Sequence, residues 1–211
     1  MSKTLIIGAS GQIGKMTTQK LLDNGETVVG LVRDKSKLND IKSDKLEVVE
    51  GDLEQDFSHA FKGCYKVIFA AGSGGSTGAD KTMLIDLWAA CKAVDYAKAA
   101  NVSQFVMVSS IGADDPSQGS DKMKPYLVAK HMADEHLINS GVAYTILRPG
   151  SLKDEDAKGG FQTAKPGSKD KMIITREDVA DALVYLLNNQ NLTNKTYELF
   201  NGDRSLEQAF A

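Results

Sequence analysis

Hydrophobic and polar positions follow two alternating periods along the chain. Short apolar, β-branched runs recur, and most are followed by a longer stretch with the 3.6-residue period of a helix. The predicted strands cover 4–7, 27–32, 46–49, 66–69, 104–108, 143–147 and 196–200, and the predicted helices cover 13–23, 82–100, 125–139 and 177–188. This alternation predicts an α/β fold with helices on both faces of a mostly parallel, doubly wound sheet.

The ends of the predicted helices support this interpretation. Gly25 and Gly141 follow helical segments at the position where a left-handed residue is favoured, and Pro125 lies where a helix begins. We find no internal repeat and no linker, so the sequence predicts one domain over 1–211. A long irregular segment at about 151–175, rich in Gly, Lys and Asp up to residue 171, predicts a functional or mobile excursion on the substrate side.

Composition narrows the class of protein. Hydrophobic residues make up 42% of the 211 residues, which supports a substantial core, and the net charge is −3. That balance argues against a nucleic-acid partner, which requires a basic face. We find no signal-peptide pattern and no apolar run that could span a bilayer, and Cys64 and Cys91 lack metal-like spacing. These features predict a cytoplasmic protein without membrane association.

A glycine-rich turn, GASGQIGK, follows the first predicted strand. A phosphate-binding P-loop needs four residues between its glycines and Ser or Thr after the lysine, whereas five residues separate Gly8 from Gly14 and Met16 follows the lysine. With Gly11, the spacing is GxxGxxG, in which the glycines permit a tight turn, close approach of a pyrophosphate, and close helix–strand packing. Because a helix N-terminus attracts anions, we predict a dinucleotide site, with an ordinary βα turn as the alternative.

The end of the second predicted strand distinguishes NAD from NADP. An NAD site places an acidic residue about 20 residues beyond the glycines, where it accepts hydrogen bonds from the ribose hydroxyls. Here Arg33 lies 19 residues after Gly14 and can clamp a 2′-phosphate, with Lys35 and Lys37 adding positive charge. Asp34 would restore the NAD pattern after a shift of one residue. We therefore predict NADP(H) as the preferred cofactor, with NAD(H) as the alternative.

Seven motifs together resemble those of the atypical short-chain dehydrogenases/reductases. They are GASGQIG, LVRD, GDLE, FAAGSGG, FVMVSSIGADDP, YLVAK and TILRPG, and REDVADAL fits the family's late helix. The most similar group contains small NAD(P)H-binding proteins, including NmrA-like proteins and the flavin or biliverdin reductase type. The resemblance spans residues 3 to about 203 and implies a Rossmann fold of about seven strands in the order 3-2-1-4-5-6-7.

The resemblance also implies a set of cofactor contacts. Asp52 would accept a hydrogen bond from the adenine amino group, with Leu53 beside the base; a solvated acid at a strand end is the alternative for Asp52. Small residues at the end of the fourth strand would let adenosine lie against the backbone. The implied cofactor-binding residues are Gly8, Ser10, Gly11, Gln12, Ile13, Gly14, Arg33, Asp52, Leu53, Ala70, Ala71, Gly72, Ser109, Lys130 and Pro149.

A catalytic site is implied by a Tyr-x-x-x-Lys pair and a serine. Residues i and i+4 share one helix face, so the ammonium of Lys130 favours the phenolate of Tyr126, which can then exchange a proton near neutral pH. Ser110, 16 residues before Tyr126, would orient the substrate oxygen. The alternative for Tyr126 is an accidental match, whereas Lys130 would also bind the nicotinamide ribose. The three histidines suggest no catalytic triad and no metal site.

The remaining features bear on packing. On a helical wheel Asp86 falls beside a stripe of alanines, and a carboxylate there requires partners, so we predict a structural role first and a site-lining role second. Met83 and Trp88 are most simply interpreted as core residues.

Only 61 residues follow Gly150, too few for the larger C-terminal substrate domain of related sugar-nucleotide epimerases. The substrate pocket would instead be walled by 72–80, 112–123 and 151–171. The leading hypothesis is an NADP(H)-dependent oxidoreductase, monomeric or homodimeric, that reduces a small carbonyl, quinone or flavin-like acceptor. The alternative is a non-catalytic NAD(P)-binding regulator of NmrA-like type. A sugar-nucleotide epimerase is disfavoured.

Overall fold

The computed structural model describes residues 3–211. Its central element is a mostly parallel β-sheet. The strands are β1 (Lys3–Ile7), β2 (Thr27–Val32), β3 (Leu46–Glu50), β4 (Cys64–Phe69), β5 (Gln104–Val108), β6 (Tyr144–Pro149), β7 (Ser151–Lys153), β8 (Phe161–Gln162), β9 (Ile173–Thr175) and β10 (Lys195–Asn201). The eight-stranded sheet has the order β3-β2-β1-β4-β5-β6-β10-β8. Its pairs are parallel except for β8, which runs antiparallel to β10. Strands β7 and β9 form a separate parallel pair.

The predicted strand order is confirmed for the first seven strands of this row, because β10 is the seventh predicted strand. The predicted number of strands needs a correction, since β8 adds an eighth at the edge of the sheet. This strand has two residues, and β7 and β9 have three each. Runs that short carry no alternating pattern, so the segment 151–175 could only be predicted as irregular.

The helices cover both faces of the sheet. They are α1 (Gln12–Asp23), α2 (Ala79–Lys81), α3 (Ala90–Ala99), α4 (Lys124–Asn139), α5 (Arg176–Leu187) and α6 (Leu206–Ala209), with a π-helical segment (Thr82–Ala89) between α2 and α3. Gly25 and Gly141 follow α1 and α4 with φ angles of +79° and +81°, as predicted for helix ends. Among the described helices, none has both the length and the apolar character that a bilayer span requires.

Each face of the sheet has its own apolar core. Leu5 and Ile7 point into the cluster under the π-helical segment, α3 and α4, whereas Ile6 points into the cluster under α1 and α5. All three side chains are fully buried. The continuous hydrophobic run of β1 follows directly from this arrangement, because both faces of a parallel sheet are covered.

The prediction that Met83 and Trp88 belong to the core is wrong. Their side chains are 48% and 57% exposed, whereas Asp86 between them is 1% exposed. These residues lie in the π-helical segment, whose wider i→i+5 turns rotate side chains away from the positions that a 3.6-residue wheel assigns. Leu84 in the same segment and Val128 and Met132 on α4, which packs against this segment, are also exposed.

Candidate functional site

One cavity lies at the carboxyl ends of β1, β2, β3 and β4. Its volume is about 400 Å³, and this edge is where ligands of open α/β sheets bind. Nine of the predicted cofactor-binding residues line it, from the glycine turn and from the ends of β2, β3 and β4. The complete lining is Gly8, Ser10, Gly11, Leu31, Val32, Arg33, Gly51, Asp52, Leu53, Glu54, Ala70, Ala71, Gly72, Ser73, Thr77, Lys81 and Ile85.

The glycine turn requires glycine at two of its three positions. Gly8 has φ +89°, and a Cβ atom there would lie 2.7 Å from the backbone nitrogen of Ala71 on the neighbouring strand end. A Cβ atom on Gly14 would lie 2.2 Å from the carbonyl oxygen of Gly8. Helix α1 then begins with no side-chain cap and no acidic residue in its first turn. A helix start without such partners is the arrangement at which proteins bind anions.

The charged residues after β2 have different environments. Arg33 is exposed and lines the cavity, and its guanidinium pairs with no carboxylate in residues 3–211. The carboxylate of Asp34 instead accepts a hydrogen bond of 2.9 Å from the backbone N–H of Ser36 and caps a short 3₁₀ turn. Hydrogen bonding from Ser36 lowers the pKa of Asp34. Thus Arg33, and not Asp34, faces the cavity.

The loop after β3 and the segment after β4 complete the cavity. Asp52 lies at its edge, and Glu54, two residues further, forms an ion pair with Lys81. Sequence analysis missed Glu54 and Lys81, and it predicted a substrate wall at 72–80, whereas Ser73 and Thr77 from that segment line this cavity. The sequence could have indicated Glu54, because it lies only two residues after the predicted site residue Asp52.

Asp86 has the structural role that we predicted for it. Its buried carboxylate accepts a hydrogen bond of 3.1 Å from the backbone N–H of Ser73. A Cβ atom on Gly72 would lie 3.1 Å from the same carboxylate, so a small residue there lets the chain pass close to it. Asp86 therefore holds the segment after β4 at the cavity wall.

The other predicted site residues lie outside the lining of this cavity. They are Gln12, Ile13, Gly14, Ser109, Ser110, Tyr126, Lys130 and Pro149. Lys130 is buried, and its Nζ donates a hydrogen bond of 2.7 Å to the carbonyl oxygen of Val108, the last residue of β5. Tyr126 is half-buried one helical turn before Lys130, and the Ser110 hydroxyl donates to the carbonyl of Ile111 at 3.2 Å. Lys130 thus joins the face of α4 to the strand end that carries both serines.

Sequence analysis missed a buried charged network beside Lys130. Asp134 is fully buried, and its Oδ2 accepts hydrogen bonds from the Ser109 hydroxyl at 2.8 Å and from Nε of Arg148 at 3.0 Å. Nη2 of Arg148 lies 2.9 Å from the same oxygen and completes the ion pair. Burial raises the pKa of Asp134 despite the opposing charge of Arg148. The available signal was the spacing, since Asp134 follows Lys130 by four residues and shares its helix face.

Two carboxylates hold the segment after β7. Asp178 is buried near the start of α5 and accepts hydrogen bonds of 3.0 Å from the backbone N–H groups of Lys158 and Gly159. Asp154 accepts from Gln12 at 3.0 Å and from Arg176 at 2.7 Å, so it connects the glycine turn to α5. The described residues hold no cluster of three or more His, Cys, Asp or Glu side chains suited to a metal ion.

Known proteins are similar to this chain in sequence and in fold. The profile of the family described as NAD(P)H-binding matches residues 8–190. The chain belongs to this NAD(P)H-binding family. A protein of Bacillus subtilis strain 168, named as the uncharacterized sugar epimerase YhfK, is 38% identical, and the match covers 98% of each chain. A Bacillus halodurans structure, provisionally named an NAD-dependent epimerase/dehydratase, is 38% identical with a TM-score of 0.93 and covers 100% of this chain and 99% of its own.

A third relative carries a different functional name within the same fold. The oxidoreductase ylbE of Lactococcus lactis is 26% identical, with a TM-score of 0.86 and coverage of 99% of this chain and 94% of its own. The NAD(P)H-binding family membership and the geometry agree: the glycine turn, the uncapped start of α1 and the open guanidinium of Arg33 fit a dinucleotide. The names of these three relatives thus include one oxidoreductase and two epimerases.

Proposed function

We propose that this protein is an NADP(H)-dependent oxidoreductase that reduces a small carbonyl, quinone or flavin-like acceptor. The observation that carries the cofactor preference is the contrast between Arg33, which lines the cavity without a partner carboxylate, and Asp34, which caps the next turn. A guanidinium binds a 2′-phosphate by charge-assisted hydrogen bonds, whereas an NAD site uses an acidic acceptor at this strand end. Arg33 therefore supports NADP(H) over NAD(H).

The residues around the end of β5 support proton transfer to an acceptor. Burial of Lys130 and its hydrogen bond to Val108 hold a positive charge on the face of α4 that also carries Tyr126. Tyr126 lies one helical turn before Lys130 on α4, and we assign its phenol as the group that gives a proton to the reduced acceptor. Since the Ser109 proton is donated to Asp134, Ser110 is the serine that we assign to orienting the acceptor oxygen. A bound nicotinamide would supply the hydride.

Parallel fluorescence titrations with NADPH and NADH test the cofactor assignment. Wild type should bind NADPH more tightly, and Arg33→Ala should weaken NADPH binding by about 10- to 100-fold while changing NADH binding little. Equal binding of both dinucleotides would overturn the NADP preference. Absence of binding of either would overturn the proposed function itself.

Oxidation of NADPH in the presence of quinones, flavins and small aldehydes tests the reaction. An active wild type and a Tyr126→Phe variant that loses activity but binds NADPH normally would support proton transfer by Tyr126. An equally active Tyr126→Phe variant would exclude that role. A nucleotide-sugar, added with NAD(P) and analysed for stereochemical inversion, tests the epimerase chemistry in the names of two relatives.

A non-catalytic regulator is the second candidate, and the exposed apolar face favours it. Met83 and Trp88 of the π-helical segment and Met132 of α4 are about half exposed, and such accumulations occur at protein interfaces. A regulator would bind NADP(H) without turnover and would bind a protein partner through this face. Loss of that complex in a Trp88→Ser variant with unchanged NADPH affinity would support this function over catalysis.

A further inference from the structure

The loop after β3 forms one wall of the cavity with a defined shape. Its backbone forms a turn in which the N–H of Gln55 donates to the carbonyl of Asp52 at 2.9 Å. The Asp52 carboxylate accepts from the N–H of Glu54 at 3.0 Å within the same turn. Asp52, Leu53 and Glu54 all line the cavity. The position of this turn therefore decides how an adenosine group would meet them.

Lys92 of α3 holds this turn from the side away from the cavity. Its Nζ donates to the carbonyl oxygens of Leu53 at 2.9 Å and of Gln55 at 2.6 Å. The same ammonium lies 5.2 Å from the centroid of the Phe57 ring, an arrangement that favours a cation. Phe57 is itself fully buried and packs edge-on against Tyr96 of α3. The ammonium of Lys92 is thus held by two carbonyl oxygens and one aromatic ring.

These contacts separate Lys92 from the residues that would touch a ligand. It does not line the cavity, and two of its three N–H donors are used by the turn. On the other side, Lys81 lines the cavity and pairs with Glu54 of the same turn. Two lysines of one helical run therefore hold the turn from both sides, one inside the cavity and one outside it.

We infer that Lys92 is a positioning residue for the adenosine half of the dinucleotide. This inference rests on the proposed function and extends it to a residue that no motif indicated. Two charge-assisted hydrogen bonds to backbone carbonyls keep the turn in its binding conformation before the ligand arrives, so binding does not have to order it. Without Lys92 the turn samples other conformations, and the adenosine half loses affinity.

Titrations with the two halves of the cofactor test this role. Lys92→Met should bind NADPH and 2′,5′-ADP about 10-fold more weakly than wild type, with nicotinamide mononucleotide binding unchanged. Lys98→Met is the matched control, because exposed Lys98 lies on the same helix and the variant loses the same charge. Lys92→Arg should recover part of the affinity, since a guanidinium can also donate to two carbonyls.

Hydrogen exchange of the backbone amides of 53–57 in ligand-free protein provides the second measurement. Exchange should be faster in Lys92→Met than in Lys98→Met and wild type. Wild-type NADPH affinity in Lys92→Met, an equal loss for both halves, or unchanged exchange would overturn the inference while the proposed function stands. A wild type that binds no dinucleotide would overturn both.

Discussion

The region at the carboxyl ends of β1 to β4 is built differently from the region at the carboxyl ends of β5 and β6. At β1 to β4 the walls contain glycines, alanines and loop backbone as well as the charged side chains of Arg33, Asp52, Glu54 and Lys81, and the cavity remains open between them. At β5 and β6 the charged side chains of Lys130 and Asp134 are buried, that of Arg148 is 12% exposed, and all three are bonded to the backbone or to each other. In the first region, the small side chains of the glycines and alanines leave the space that forms the cavity. The second is held together by charges that compensate one another.

The comparison explains why only some predicted site residues line the cavity. Small residues leave space for a ligand beside them. A buried charged side chain must instead be bonded within the protein, and its partners are then not free to line a cavity. The Ser109 hydroxyl donates its hydrogen bond to Asp134 for this reason, whereas the Ser110 hydroxyl donates only to the neighbouring carbonyl of Ile111. The region at β5 and β6 thus presents few free groups, and these are the ones to which we assign chemistry.

Removal of the buried carboxylate at β5 and β6 should have the largest effect. Asp134→Ala leaves the largely covered guanidinium of Arg148 without its partner, which should lower the free energy of unfolding by about 3–5 kcal/mol. Asp134→Asn should cost less, because an amide oxygen still accepts from Ser109 and Arg148. Urea unfolding measures both variants. An alanine variant as stable as wild type would show that the charges do not hold this region together.

Filling the glycine turn should have the next largest effect. Gly14→Ala places a Cβ atom 2.2 Å from the carbonyl oxygen of Gly8, and such overpacking should destabilise the fold by about 1–3 kcal/mol. It should also abolish NADPH binding, because α1 must move away from β1. Gly167→Ala is the control, since nothing lies within 4 Å of its Cβ position. Normal NADPH affinity in Gly14→Ala would contradict the role of backbone packing in this region.

The pH dependence of Asp178 distinguishes it from Asp134. Burial raises the pKa of Asp178, but hydrogen bonds from Lys158, Gly159, Thr175 and Asn201 outweigh it, and the net shift is downward. Ionised Asp178 therefore stabilises the fold above its unfolded pKa of about 3.9, and this contribution is lost as the pH falls through the lower folded value.

Asp178→Asn should accordingly be less stable than wild type by about 1–3 kcal/mol at pH 7, and the gap should narrow below about pH 4. Chemical unfolding at several pH values measures the gap, with Asp156→Asn at an exposed position as the control. A gap that is constant with pH would show that the charge of Asp178 contributes nothing.

The smallest effect is expected at Asp34. Asp34→Ala removes the cap of the 3₁₀ turn and should lower thermal stability slightly. The ratio of NADH to NADPH dissociation constants should change by less than about twofold, because Asp34 does not line the cavity. Both dinucleotide titrations check this. A large loss of NADH binding would instead assign ribose recognition to Asp34 and weaken the case for Arg33.

Most of the site on the side of β1 to β4 could be predicted, because its signals are local. Gly8, Gly11 and Gly14 lie within one turn, and Arg33 directly follows a strand, so chain spacing alone indicates their position. Lys81 and Lys92 could not be found in this way. Both reach the loop after β3 from a helical run that follows β4, and Lys92 acts through carbonyl oxygens that no side-chain pattern shows.

The alternation of strands and helices, the order of the first seven strands, the glycine turn and the family could all be predicted from the amino-acid sequence. Each of these depends on periodicity or on residues close together in the chain. The tertiary structure decided the eighth strand, the outward direction of Trp88 and the bonding of Ser109 to Asp134. The two-residue edge strand and the buried hydrogen bond depend on groups far apart in sequence that only packing brings together, and the change to π-helical geometry leaves no sign in a 3.6-residue period.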